Sequence, residues 1–161
     1  MSEKHDSAQG QASSESLGAT ANSKIIIDRK TAETEFDRYC EANDIDFDMS
    51  AMTENEKKDF EPIKRRFVKA CMQGRVEVDG INLKYIISDF SPSPFKGQMV
   101  TTKRPGGSSF MEMDGYKETQ SVHKMHGFLA AMTGQEKSFF TKIDGKDWHF
   151  LQGIAVLFLV D

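Results

Sequence analysis

The chain has 161 residues, enough for one domain plus a tail. Lys and Arg number 21 and Asp and Glu 25, a net charge of −4, which gives no global attraction to a phosphate backbone, so no nucleic-acid partner is expected. Its two cysteines, Cys40 and Cys71, form no CxxC pair and no disulfide framework, which points to a reducing compartment.

Residues 1–24 are mostly Ser, Ala, Gln, Gly and Glu with one Leu, too little apolar area to offset chain entropy, so a disordered tail is expected. The opening MSEKHDSAQGQASSESLG has no apolar segment of the kind a secretory leader needs, and export is not expected. KIIIDR, Lys24 to Arg29, predicts an added strand. TAETEFDRYCEAND sets Phe36, Tyr39 and Cys40 at i, i+3 and i+4, a short helix that Asn43-Asp44 ends. NDIDFDMS then alternates Asp44, Asp46 and Asp48 with Ile and Phe. It resembles a calcium-loop fragment, but the Gly and the terminal Glu are missing at the required offsets.

TENEKKDFEPIKRRFVKACMQG predicts the clearest helix. Thr53 and Glu56 make a capping box, Phe60, Ile63, Phe67 and Cys71 share a face, and Gly74 sits where a helix-ending glycine belongs. Pro62 predicts a kink or restart near Glu61. The basic run Lys57 to Lys69 alternates with acids and apolar residues and reads as a solvated helix face.

RVEVDGINLKYII predicts a β-hairpin with Asp79-Gly80 as the central pair of a type I′ turn. That register sets Val76 and Val78 against Leu83 and Ile81, on one face with Tyr85 and Ile87. SDFSPSPFKG is a loop and QMVTTKR a third strand. PGGSS breaks the strand, and Ser108 or Ser109 is placed to cap a helical turn in FMEMDGYK. TQSVHKMHGFLAAMTG predicts a helix with Val122, Met125, Leu129 and Met132 as its stripe, Phe128 alongside and Gly134 as its stop. SFFTKIDG is a short helix or turn, and Asp147 is expected to cap a last helix, WHFLQGIAVLFLV. Without βαβ alternation the fold class is α+β. A small antiparallel element, hairpin plus third strand, packs with helices. One domain over 25–161 is expected, with a helical segment 25–74, a β element 75–104 and C-terminal helices 105–161.

No chemistry-bearing constellation emerges. His123 and His126 are three apart on one helix, but Glu112, Asp114 and Glu118 have no characteristic spacing to them, and a metal usually takes three or four ligands. In KRPGGSS the lysine precedes the glycines, so it cannot reach over phosphates as in a phosphate-binding loop. Cys40 and Cys71 lie on apolar helix faces, where cysteines are usually inert. No Gly-x-Ser-x-Gly elbow exists. Neither a catalytic site, a metal nor a cofactor is expected.

Nine Met and 12 Phe stand against one Trp and three Tyr. Met is adaptable and over-used on surfaces that fit a helical partner. Met111, Met113, Met125 and Met132 cluster with Phe110 and Phe128, either as a loosely packed core or as a partner groove. From Ile154 to Val160 no side chain is polar, a run of seven against the roughly 20 a membrane-spanning helix needs. No membrane anchor is expected. A helix from Asp147 to Val160 is apolar almost all round, as in a helix fully buried or shared with a partner. Leu157, Phe158 and Leu159 are consecutive and, on a helix, cannot all face one small core.

The order of these pieces resembles the tail assembly chaperones of long-tailed bacteriophages. A hairpin leads to MVTTKRPGGSSFMEMD, then a Met-rich helix ending in LAAMTG, then FFTKIDGKDWHFLQGIAVLFL. The residues that carry the likeness are Arg104-Pro105-Gly106, Met113-Asp114, Met132-Thr133-Gly134 and Ile143-Asp144 with Asp147. It covers residues 75–160; the helical segment 31–73 and the tail are additional to the short members of that group. The resemblance implies a protein without catalysis. It would bind the long helical tape measure protein and keep it soluble until the tail tube polymerises, in the bacterial host cytoplasm and not in the mature virion. A client of amphipathic helices calls for a helix-in-groove surface. Met125, Phe128, Met132, Trp148, Leu151, Leu157, Phe158 and Leu159 are the expected partner-binding residues, and a second copy of the chain could cover the same surface. The competing readings are a structural tail or head-completion protein and a small phage-encoded inhibitor of a host protein.

Overall fold

A computed structural model describes residues 25–160. The tail expected to be disordered, residues 1–24, lies outside the described residues. The fold is α+β. Among the described residues there are six α-helices, α1 (Arg29–Ala42), α2 (Glu54–Met72), α3 (Gly107–Asp114), α4 (Ser121–Thr133), α5 (Phe139–Lys142) and α6 (Gly145–Val156). Strands β1 (Val76–Asp79), β2 (Asn82–Ile86) and β3 (Met99–Thr102) form one antiparallel sheet in the order β1-β2-β3.

Of the strand predicted at Lys24 to Arg29, the described residues from Ile25 onward form none. Asp28 instead caps α1, its side chain accepting from the Thr31 N–H, and Ile26 is tied to the end of α2 by one backbone bond to Met72, 2.7 Å. The edge of β1 that a strand could take up meets α1, where Arg38 donates to the Val78 carbonyl at 3.1 Å. Phe36, Tyr39 and Cys40 are buried on α1, and Asn43 closes it. The Thr53–Glu56 capping box starts α2, and Gly74 (φ 71°) follows its end. The helix runs unbroken through Pro62, against the expected restart. Pro62 denies a donor only to the carbonyl four residues back, that of Lys58, which is exposed, so solvent can serve it.

The hairpin forms with its turn moved by one residue. Asp79 pairs with Asn82, so Gly80 and Ile81 are the central pair, and only Gly80 takes a positive φ, 60°. That is the type II′ pattern, which needs one left-handed residue where type I′ needs two, and it leaves Asp79 in the strand. Val78 therefore pairs with Leu83 and Val76 with Tyr85, a shift of two in the pairing sum. A shift of two preserves the faces. Val76, Val78, Leu83 and Tyr85 are buried as expected, with Val100 and Thr102 beside them from β3, while Ile81 is exposed at the tip. Nothing lies within 4 Å of a Cβ built on Gly80, so Gly80→Val should act through the backbone alone. A loss of about 1–3 kcal/mol is expected, and a milder one for Gly80→Asn. An unchanged urea midpoint for the Val variant would contradict the turn assignment.

One cap and one stripe also differ from expectation. Gly106 precedes α3 with no side-chain cap, and Ser108 and Ser109 lie inside it. Val122 on α4 is exposed, whereas Met125, Phe128, Leu129 and Met132 are buried, and Gly134 (φ 72°) ends the helix. One core joins the helical segment to the sheet through aromatic contacts. Phe36 meets Phe67 edge-on at 5.1 Å, Phe67 lies 6.5 Å from Phe150, and Phe150 stacks on Tyr85 at 3.9 Å.

Candidate partner-binding site

The last helix is shorter than the sequence suggests. Asp144, not Asp147, is its cap, accepting from the Lys146 N–H at 2.8 Å. Both Asp residues precede the same apolar run, and Asp147 is drawn inward by a stronger claim. Its carboxylate is fully buried and accepts from the Tyr85 hydroxyl (2.6 Å), the Ser88 N–H (3.0 Å) and hydroxyl (2.7 Å), the Ser91 hydroxyl (2.6 Å) and the Arg75 guanidinium (3.1 Å). Burial alone pushes this carboxyl up. The hydrogen bonds from Ser91, Tyr85 and Ser88 outweigh it and hold the group below the ordinary carboxylate range. Burial pushes the Tyr85 phenol well above its ordinary value. The network ties the first turn of α6 to β2 and to the loop after it.

α6 stops at Val156, and Leu157 to Leu159 continue as turns with bonds back to Gly153, Ala155 and Val156. The three side chains are thus not on a continuing helix. Leu157 is buried, Phe158 and Leu159 are half-buried, and Val160 is exposed.

This separates the expected partner-binding residues into two sets. Met125, Phe128, Met132, Leu151 and Leu157 lie in the chain's own core, and of these only Leu157 borders the cleft at the C-terminal end. The reason is that α6 is wedged between neighbours. Gly153 of α6 lies against Ile63 of α2, where an added Cβ would come within 3.3 Å, and α4 flanks another side. An all-round apolar helix is here a buried one. Trp148 is half-buried, edge-on to His126 at 4.6 Å. Phe158 and Leu159 keep partial exposure.

The exposed part of that C-terminal end lines a cleft of about 390 Å³. Leu157, Phe158 and Val160 form one wall, and Ile45, Phe47, Met52 and Phe60 the other. The opposing wall depends on the segment between α1 and α2. Asp44 turns the chain there with φ 57°, a left-handed conformation Asp tolerates better than most residues. From that point Ile45, Phe47 and Met49 turn to the core and Asp44, Asp46 and Asp48 to solvent. Phe47 locks the segment by edge-on contacts to Phe36 (4.9 Å) and Phe60 (5.7 Å). Sequence reasoning tested this stretch only for calcium; the period-of-two alternation was the signal that it rims a groove.

Glu56 adds a fourth carboxylate to the cleft, and Arg104 is its one cation among the described residues. Arg104 donates to the Asn43 carbonyl. Hydrogen bonds from the Ser50 side chain and N–H hold Asp48 below its ordinary value, and those from Thr53 do the same for Glu56. Asn43 also lines the cleft. Its side chain is buried, its Nδ2 donates to the Tyr39 and Ile81 carbonyls, and its Oδ1 has no donor among the described residues.

The remaining candidates are placed as follows. His123 stacks near Tyr116, and burial, then His123, lowers the pKa of His126. Among the described residues no three or more of His, Cys, Asp and Glu are grouped to hold a metal ion. Burial pushes the Cys40 thiol up to about 12 and the Cys71 thiol up to about 11, which keeps both protonated and unreactive at neutral pH. Among the described residues no helix is long and apolar enough to cross a membrane. No family model, curated protein or solved structure matches this chain.

Proposed function

We propose that the chain is a tail assembly chaperone of a long-tailed bacteriophage, which holds the amphipathic helices of the tape measure protein in solution and carries out no catalysis. The observation that carries the reading is the incompletely covered apolar C-terminal end. Phe158 and Leu159 are half-buried and Val160 is 49 % exposed, beside a cleft walled by Ile45, Phe47 and Met52. A cleft with apolar side chains on its walls and a charged rim suits an anchor side chain from a partner helix. The resemblance in the order of hairpin, third strand, Arg-Pro-Gly turn, Met-rich helix and final apolar helix adds support.

The test is co-expression with the tape measure protein of the same phage, followed by pull-down and assay of the client's solubility. Phe158→Lys should keep the helical circular dichroism signal and lose the client to the insoluble fraction. Val160→Lys, at a more exposed position, serves where the first variant does not fold. A folded variant of both positions that still keeps the client soluble would refute the reading. Mass spectrometry of purified particles separates it from the structural-protein alternative, since a chaperone should be absent from them.

A further inference from the structure

We propose that the C-terminal cleft takes a basic amphipathic peptide segment, its apolar side chains between Phe47 and Phe158 and its Lys or Arg side chains on the rim formed by Asp44, Asp46, Asp48 and Glu56. The inference rests on the reading that this end of the molecule receives a partner, and it specifies that partner's charge.

Among the described residues the rim charges have no ion-pair partner. Glu33, Glu77, Glu112 and Glu118 each have an Arg or Lys as ion-pair partner. Among the described residues none of the four rim carboxylates has one, and Arg104 is engaged with a backbone carbonyl. Asp44, Asp46 and Asp48 alternate along the chain, so neighbouring members have Cα atoms at most about 7 Å apart. That is shorter than the roughly 8 Å screening length at physiological salt, so their repulsion is felt. A cation arriving between them relieves it.

A second observation points the same way. Asn43 lines the cleft with a buried side chain whose Oδ1 lacks a donor. Buried acceptors are almost always satisfied, and an acceptor without a donor fits a ligand that brings N–H groups. Lys, Arg and a peptide backbone all do. A bare metal ion does not, and a nucleic acid is repelled by the rim. Phe47, Phe60 and Phe158 on the two walls ask for apolar side chains beside the cations.

The test uses the full chain and two fluorescein-labelled helical peptides of equal length, one of Leu and Lys, the other of Leu and Glu. Fluorescence anisotropy should show binding of the Leu–Lys peptide only, weakened as salt is raised. Asp44→Asn/Asp46→Asn should lower that affinity about tenfold, as expected for two partly exposed ion pairs. Asp89→Asn/Asp114→Asn changes the net charge equally at exposed sites away from the cleft and should leave affinity unchanged. Equal binding of both peptides, no binding of either, or an equal loss in the two double variants would overturn the proposal. So would sedimentation showing that the chain self-associates through this cleft and that Phe158→Lys breaks the contact. The tape measure pull-down keeps the two ideas apart. A client retained equally by wild type and by Asp44→Asn/Asp46→Asn removes the charge argument and leaves the chaperone reading. A client not retained by wild type removes the chaperone reading, while peptide binding still stands or falls alone.

Discussion

Asp147→Ala should cost about 3–5 kcal/mol, the largest loss expected of any polar substitution in this chain. The cost arises from what is left behind. The Tyr85 hydroxyl, the Ser88 hydroxyl and N–H and the Ser91 hydroxyl all point at one buried carboxylate, and Arg75 adds its charge. Removing the acceptor strips the Tyr85, Ser88 and Ser91 donors of it inside the core, and such groups cost more than the bond itself was worth. Ser91 also accepts from the Asp144 N–H at 2.7 Å, so the cap of α6 is disturbed as well. Asp147→Asn keeps one acceptor oxygen and should lose less. Urea denaturation at neutral pH measures both.

The same group predicts an acid limb. Its carboxyl is held below the ordinary value in the folded chain, so the fold favours the ionised form. The contribution is complete above the ordinary value of about 4 and is lost as pH falls through the lower folded value. Asp28, Asp48 and Glu56 are held down too, chiefly by hydrogen bonds from Thr31, Ser50 and Thr53, and their share is common to wild type and variant. Between neutral pH and about pH 3 the wild type should therefore lose more stability than Asp147→Asn. Parallel acid limbs would show that the stabilisation comes from elsewhere.

Local pattern was enough for most of the elements and for little of the site. The capping box at Thr53 and Glu56 and the glycines 74 and 134 are decided within one helical turn, and they stand where the sequence puts them. The hairpin shows why a turn can be misplaced without harm. Asp79-Gly80 and Gly80-Ile81 are both acceptable pairs, the registers differ by two, and the buried face is unchanged. The Asp147 network is of another kind. Its partners are 56 to 72 residues away along the chain, and no spacing rule links a loop serine to a helix aspartate. The local sequence suits Asp147 to a capping role, and tertiary contacts override it. Part of the expected partner surface is core for a related reason. Apolarity marks Leu151 and Phe158 alike, and only the packing of α2 and α4 around α6 decides that the first is core and the second is rim.

Phe67→Ala should cost about 3–5 kcal/mol, at the upper end for a core deletion. Phe67 is fully buried on α2, between Phe36 and Tyr39 of α1 on one side and Phe150 of α6 on the other. Each of these rings is itself buried, so no exposed side chain is free to swing in and fill the gap. The position also decides how the molecule unfolds. Through Phe150 and Tyr85 the aromatic contacts run from the α1–α2 pair to the sheet and to the Asp147 network. If that continuity couples the parts, the wild type should unfold in one transition, with calorimetric and van't Hoff enthalpies equal. In Phe67→Ala the helical pair should then lose stability relative to the sheet and α6, and far-UV circular dichroism should begin to change before Trp148 fluorescence does. Phe67→Leu keeps most of the volume and should restore a single transition. A wild type that already melts in two steps would show that the α1–α2 pair is an independent unit. The cleft would then sit on a boundary between two units, because its acidic wall belongs to the first and its Phe158 wall to the second.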